Sequence, residues 1–497
     1  TDSIDATSDA RALELDGSAS AVEWSPNGQD LMVVLAPTPS VDDSYMFKRV
    51  FVVDSESGRV IRAVENSGKL GQVAWSPDGR RLAMITGADQ NDPREGRLMV
   101  ASVDGDDSLT ELLPELRAHV NSIAWKDDAS LYWLAAEGVS SRFGTVSLER
   151  QRKDLVQPGD PTVVVSFSKA SSDGAIAMLG HSAAHATELF VADDDTAMPR
   201  RLTVQNPWLG DIEFARQTKI QWKARDGLEL EGVLVYPLHY VEGRRYPTIM
   251  YVHGGPESHE SNGWLTSYSR PGQVAAGRGF AVFYPNYRGS TGRGVEFSKM
   301  GQEDAAGKEF DDVVDAVDAL VAAGIADNDR VGVTGGSYGG YATAWLATTY
   351  SDRFRAGVMF VGISNKITKG LTTEIPVEMT MVHTLYDHYT NWQFSLERSP
   401  LYHVEKCRTP LLIAGGTADS RVHPSQSLQF YRALKLIGET PVRYVRYPGE
   451  QHGNRRAASR DDYSRRLMRW MDHFVMEGNT ELPPWELNGV ENDGISE

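Results

Sequence analysis

Cysteine is almost missing from this chain, with Cys407 the only one in 497 residues. A single thiol closes no intrachain disulfide, so no covalent staple holds the fold. Cys407 has no local catalytic signature around it and reads as a packing residue. Long apolar runs are missing too. No stretch approaches the roughly 18 residues that a membrane-spanning helix needs. Positive charge is in deficit, with 50 Lys and Arg against 68 Asp and Glu and a formal net charge of −18. That balance excludes the basic stripe of a nucleic-acid surface. Neither H-E-x-x-H nor paired Cys/His spacing occurs, so no metal and no cofactor is expected. Thr1–Ala10 is polar and acidic without the apolar core of a signal peptide. A precursor that has lost such a segment fits equally, which leaves localisation open between cytoplasm and periplasm for a soluble protein.

What is present divides the chain in two. Val22-Glu23-Trp24-Ser25-Pro26-Asn27-Gly28 recurs as Val73-Ala74-Trp75-Ser76-Pro77-Asp78-Gly79, and more loosely as Ile123-Ala124-Trp125-Lys126-Asp127-Asp128. A weaker fourth copy is Ser166-Phe167-Ser168 followed by Ser172-Asp173-Gly174. Copies about 50 residues apart, each an apolar strand ending in a Pro-Asx-Gly turn, are a propeller signal. Glycine supplies the positive φ of the tight turn. A β-sandwich is the alternative. About four blades fit within residues 1–214, a small number for this architecture. The expectation is an incomplete propeller: part of a longer precursor, or completed by strands from a second chain or a further copy.

From Lys219 the grammar changes to short apolar strands alternating with helical stretches. Thr248–Val252, Phe280–Tyr284, Val331–Thr334, Ala356–Phe360, Leu411–Ala414 and Val442–Val445 read as buried strands. Phe310–Ala323 and Pro424–Leu436 read as helices. The fold class expected for 215–478 is an α/β-hydrolase, a mostly parallel sheet covered on both faces. Residues 479–497, acidic with a Pro-Pro pair, read as a frayed tail.

The sharpest local signal is Gly335-Gly336-Ser337-Tyr338-Gly339, set between a strand and a helix. That placement of G-x-S-x-G is a nucleophile elbow. The turn is tight enough that the residues two before and two after the serine must lack side chains. Gly335 and Gly339 meet the demand. A serine hydroxyl needs a base, and the base needs an orienting acid. Asp419 follows the strand Leu411–Ala414 and His452 follows Val442–Val445, which is the Ser, acid, His order of this fold. His383, His388, His403 and His423 sit without that strand support and read as structural. The Tyr338 N–H opens the helix as one oxyanion donor. His253-Gly254-Gly255-Pro256 follows the strand that supplies the second.

Together His253–Pro256, Asn286-Tyr287-Arg288-Gly289-Ser290, the Ser337 elbow, Asp419 and His452 resemble the prolyl oligopeptidase family of serine peptidases. The acylaminoacyl-peptidase-type branch is nearest, and the resemblance covers nearly all of 215–475. It implies hydrolysis of short peptides under a propeller that excludes folded proteins. It also implies a Gly255 N–H as second oxyanion donor, and a substrate-binding role for His253, where dipeptidyl-peptidase-type relatives carry a tyrosine. Arg421 matches an arginine that holds the carbonyl before P1, with a salt bridge as the alternative. The stretch from Gly362 through Ile363 to Lys366 matches the P1 pocket, often with tryptophan where this chain has Lys366. No adjacent Glu-Glu pair stands in the first half to bind a free amine. Three functions stay open: a peptidase, a small-molecule esterase or amidase on the same triad, and an inactive scaffold.

Overall fold

The computed structural model describes residues 15–105, 108–170, 174–388 and 390–487. Four four-stranded antiparallel sheets come first, each built from consecutive strands. They start at Ser18–Trp24, Leu70–Trp75, His119–Asp127 and Val163–Lys169, and the last ends at Arg200–Arg201. The repeated turn works as the sequence suggests. Ser25 Oγ donates to Asn27 Oδ1 and accepts from the Asp30 N–H, and Ser76 does the same with Asp78 and Arg81. Gly28 and Gly79 take φ of 73° and 70°. In the fourth copy Ser172 and Asp173 lie outside the described residues.

Apolar clusters weld the first sheet to the second, the second to the third and the third to the fourth. Among the described residues the first and fourth sheets share neither a ladder nor a cluster. The repeat tryptophans record this. Trp125 is 4% exposed, its indole N–H on Ala74 O of the preceding sheet at 3.0 Å, whereas Trp24 is 61% exposed.

An eight-stranded sheet follows, in the spatial order Gln217–Lys223, Glu229–Val235, Ala281–Asn286, Tyr246–Val252, Ala326–Gly336, Ala356–Phe360, Leu411–Gly416 and Val442–Tyr447. The first two pairings are antiparallel and the rest parallel. Lys308–Ala322 and Tyr338–Thr349 pack one face through Phe310, Val313, Val317, Tyr341 and Leu346. Ala457–Met471 packs the other through Tyr463, Leu467 and Met471. Cys407 lies in a third cluster with Phe430 and Leu434, its thiol pushed up to about 12 by burial, as a packing residue requires. The expected frayed tail is corrected over 479–487. Arg443 donates to Pro483 O and Pro484 O, Arg469 to Pro484 O and Glu486 O, and the Trp485 ring faces Arg443 and Arg466. An acidic run with a Pro-Pro pair reads as loose until the arginines that donate to its carbonyls are known.

The two parts are latched by two histidines, His119 buried and His181 half-buried. His119 Nδ1 accepts from the Gly292 N–H at 2.9 Å, and His181 Nδ1 accepts from the Trp264 N–H at 2.7 Å. Both rings must therefore be neutral at Nδ1. Burial lowers His119 to about 3 and His181 to about 4. Their folded values lie below the unfolded reference of roughly 6.5, so the stability they add is complete above that pH and drains away as pH falls. The midpoint of thermal unfolding is expected to drop by roughly 5 °C or more between pH 7 and pH 4.5, more shallowly in His119→Gln. A flat midpoint over that range contradicts the latch.

Candidate active site

Ser337 sits between the strand Ala326–Gly336 and the helix Tyr338–Thr349, at φ 59° and ψ −118°. Positive φ costs a non-glycine residue energy and persists only where the surroundings enforce it. Here they do. A Cβ at Gly335 would stand 2.3 Å from Val252 O, and one at Gly339 would stand 1.9 Å from the same atom. The glycines let the elbow close onto the neighbouring strand, which thrusts Ser337 outward. Gly254 completes the fit, since a Cβ there would meet Gly336 O at 2.8 Å and the Ser337 Cβ at 3.2 Å.

Asp419 is buried after the strand Leu411–Gly416, with its two oxygens divided between two tasks. Oδ1 accepts the Arg421 and Val422 N–H groups, both at 2.9 Å, and Oδ2 stands 2.8 Å from His452 Nδ1. The loops carrying them are bound together: the Ala418 N–H donates to Glu450 O and the Gly449 N–H to Thr417 Oγ1. Gly416 permits the approach, because a Cβ there would lie 2.2 Å from Glu450 O. The Glu450 carboxylate accepts the Arg455 and Arg456 N–H groups and fixes the far side of the histidine loop.

Ser337, His452, Gly255 and Tyr338 line one cavity of about 550 Å³, between the first two sheets and the hydrolase part. Its size is that of a small-ligand site. Among the described residues no hydrogen bond joins Ser337 Oγ to His452; such bonds often tighten only with substrate bound. The Tyr338 N–H belongs to a first helical turn, whose amides have no intrahelical acceptor. The Tyr338 hydroxyl donates to Glu309 Oε1 at 2.6 Å, and burial raises that carboxyl to about 7. A separate cavity of about 770 Å³ beside His119 and Arg293 contains none of these groups.

The remaining residues singled out in the sequence divide. Ile363, Lys366 and Arg421 line the cavity. Arg421 donates through Nε to Glu374 at 2.9 Å and through Nη2 to the Tyr45 hydroxyl at 3.2 Å. His253 is not brought to the cavity. It is buried, with Nε2 2.8 Å from Ser290 Oγ, Nδ1 2.8 Å from Gly254 O, and its ring stacked on Tyr287 at 4.3 Å. Burial lowers it to about 3, so it is a neutral brace behind Gly254 and Gly255. A sequence motif marks the backbone it holds, and says nothing of which way the imidazole turns. Of the competing histidines, His388 bonds Ser395, His403 bonds Glu397 O and His423 bonds Ser425.

Sequence reasoning missed several cavity groups. His383 pairs with Glu257 at 2.7 Å; burial alone would raise that carboxyl, and the imidazole overrides it and holds it low. Lys69, from the second sheet, pairs with Glu378, whose N–H donates to Asp42 of the first-sheet connection. Lys369 was also missed, although its spacing of three from Lys366 puts both on one helical face.

The family description "Prolyl oligopeptidase family" matches residues 266–477. Dipeptidyl aminopeptidase BIII of Pseudoxanthomonas mexicana is 33% identical over 321 residues, 62% of this chain and 45% of that protein. Dipeptidyl-peptidase 5 of Porphyromonas gingivalis is 26% identical over 475 residues, 91% of this chain and 66% of that protein. The chain thus spans about half to two thirds of the length of these relatives. Among solved structures, an acylaminoacyl peptidase of Pyrococcus horikoshii superposes with a TM-score of 0.71 at 22% identity, covering 92% of this chain and 81% of that one. A puromycin hydrolase gives 0.77 at 19% identity, covering 94% and 70%. These structural matches show the fold, an antiparallel propeller part before an α/β-hydrolase. This chain carries a prolyl oligopeptidase family domain.

Proposed function

We propose that this chain is a serine peptidase of short peptides, with residues 1–214 as its propeller unit, 215–478 as its catalytic unit and 479–497 as its tail. The observation that carries the reading is the Asp419–His452 bond at 2.8 Å, in the same cavity as a serine held at φ 59°. Ser337 Oγ attacks the scissile carbonyl carbon while its proton passes to His452 Nε2. The oxyanion forms between the Gly255 and Tyr338 N–H groups. The C–N bond then breaks as His452 returns the proton to the leaving amine, which leaves an acyl-enzyme. Water, deprotonated by His452, attacks the ester and restores Ser337. Asp419 fixes the Nδ1–H tautomer throughout.

Of the cavity carboxylates, Glu378 pairs with Lys69, Glu257 pairs with His383 and Glu95 stands 3.9 Å from Arg94. Among the described residues no cavity carboxylate stands apart from a basic side chain to receive a substrate ammonium group, which favours acyl-blocked peptides over free N-termini. Covalent labelling with a fluorophosphonate, located at Ser337 by peptide mass, tests the nucleophile. Rates on a blocked peptide and on a p-nitrophenyl ester separate peptidase from esterase.

Arg421 is expected to bind the carbonyl before P1 with the guanidinium nitrogens that Glu374 leaves unused, a rigid fork suited to that oxygen. Arg421→Ala should raise KM roughly tenfold or more for an acyl-dipeptide, and leave KM for a p-nitrophenyl ester too short to reach it within about twofold. Equal losses on both substrates would assign Arg421 to the Glu374 salt bridge alone.

A further inference from the structure

Lys366 and Lys369 project from one face of the helix Lys366–Thr372, 1% and 4% exposed, and both line the cavity that holds Ser337. Lys369 Nζ has one neutral partner, Thr373 Oγ1 at 2.6 Å. Lys366 Nζ lies 5.3 Å from the centre of the Tyr341 ring, one helical turn after Ser337. Among the described residues neither ammonium has a carboxylate within 4 Å, while the cavity's carboxylates are already paired. Two like charges buried on one helical face with no carboxylate in direct contact cost folding energy and persist where something else is gained. A carboxylate entering from the cavity satisfies both.

Resting on the reading of Ser337 as nucleophile, we propose that this cavity selects peptides with an acidic side chain, Asp or Glu, on the residue whose carbonyl Ser337 attacks, held by Lys366 and Lys369. Position supports this occupant: Ile363, Lys366 and Lys369 line the same cavity as Ser337, and the Lys366 ammonium stands over Tyr341, four residues after Ser337. Burial lowers Lys366 to about 8, against the pull of Glu309, and lowers Lys369 to about 7, with Lys366 and Arg421 adding to the fall. A bound carboxylate reverses that desolvation and favours both ammonium forms.

The groups facing this pair are Glu309 from the helix Lys308–Ala322, Asp419 and Arg421 from the acid loop, Glu378, and His388. Glu309 ionises near pH 7 and helps Lys366 to keep its proton. The preference for acid is therefore complete near pH 6.5 and lost as pH rises through the lysine range.

The test uses the whole chain and matched blocked fluorogenic peptides differing only at P1: Glu, Gln, Asp, Asn and Leu. At pH 6.5 kcat/KM for Glu should exceed that for Gln at least about tenfold, and the ratio should shrink severalfold at pH 9.5. Lys366→Met should bring the ratio near one, and Lys366→Arg should retain most of it. A wild-type ratio near one, or Leu preferred over both acids, overturns the proposal, as does an unchanged ratio in Lys366→Met. Should Lys366→Met fail to fold, the wild-type ratio and its pH trend still decide. Fluorophosphonate labelling and ester hydrolysis are read in parallel. If they succeed while the acid preference fails, only this inference falls; if they fail, the peptidase reading falls with it.

Discussion

Ser337→Ala is expected to lower kcat/KM on any blocked peptide by roughly 10³-fold or more while leaving the melting temperature within a degree or two of the parent. The substitution removes one oxygen and keeps the Cβ, so the positive-φ turn, its contact with Gly254 and the helix behind it are undisturbed. What disappears is the atom that forms the acyl-enzyme. The oxyanion donors and the cavity stay, so a slow direct attack by water remains as a floor. Fluorophosphonate labelling vanishes with the hydroxyl, which separates a true residual rate from a contaminating hydrolase. Turnover within tenfold of the parent, in protein that takes up no label, would falsify the nucleophile assignment.

Asp419→Asn should cost about 10⁴-fold in kcat through a defined change of tautomer. In the parent, one carboxylate oxygen accepts two backbone N–H groups and the other faces His452 Nδ1. An asparagine keeps its carbonyl oxygen on the two N–H donors, since an NH₂ group there would oppose two donors. That choice turns the amide NH₂ toward Nδ1, which must then accept. The ring proton moves to Nε2, the atom that has to take the serine proton, and the base is blocked. The fold is expected to survive, because every backbone bond to Asp419 Oδ1 has a counterpart. Near-parental kcat in a folded Asp419→Asn protein would point to another acid.

The elbow and the acid and base loops were legible because their demands are local. Two residues flanking a tight turn must be glycine, and a loop after a strand must carry a carboxylate or an imidazole. The repeat was legible for the same reason, since the first two sheets meet the same turn with Ser, Pro, Asx and Gly and the third keeps its tryptophan and aspartates. Where the signal ended at the backbone, side-chain direction was lost. His253 carries a motif, yet packing against Tyr287 and Ser290 turns its ring inward. The tail from Gly478 looked loose because its anchors, Arg443, Arg466 and Arg469, lie far back in the sequence.

By itself, then, the sequence determined the two architectures, the glycine-flanked turn at Ser337 and the loops after later strands that carry Asp419 and His452, all matters of neighbouring residues and steric necessity. Tertiary structure alone decided the electrostatics of the cavity. Lys69 meets Glu378 across 309 positions, Glu257 meets His383, and Glu374 meets Arg421. The first follows from how the propeller part docks on the hydrolase loops and the other two from how those loops fold against one another, long-range events with no periodicity to announce them. These pairings engage the carboxylates one by one and leave Lys366 and Lys369 buried with no carboxylate within 4 Å among the described residues.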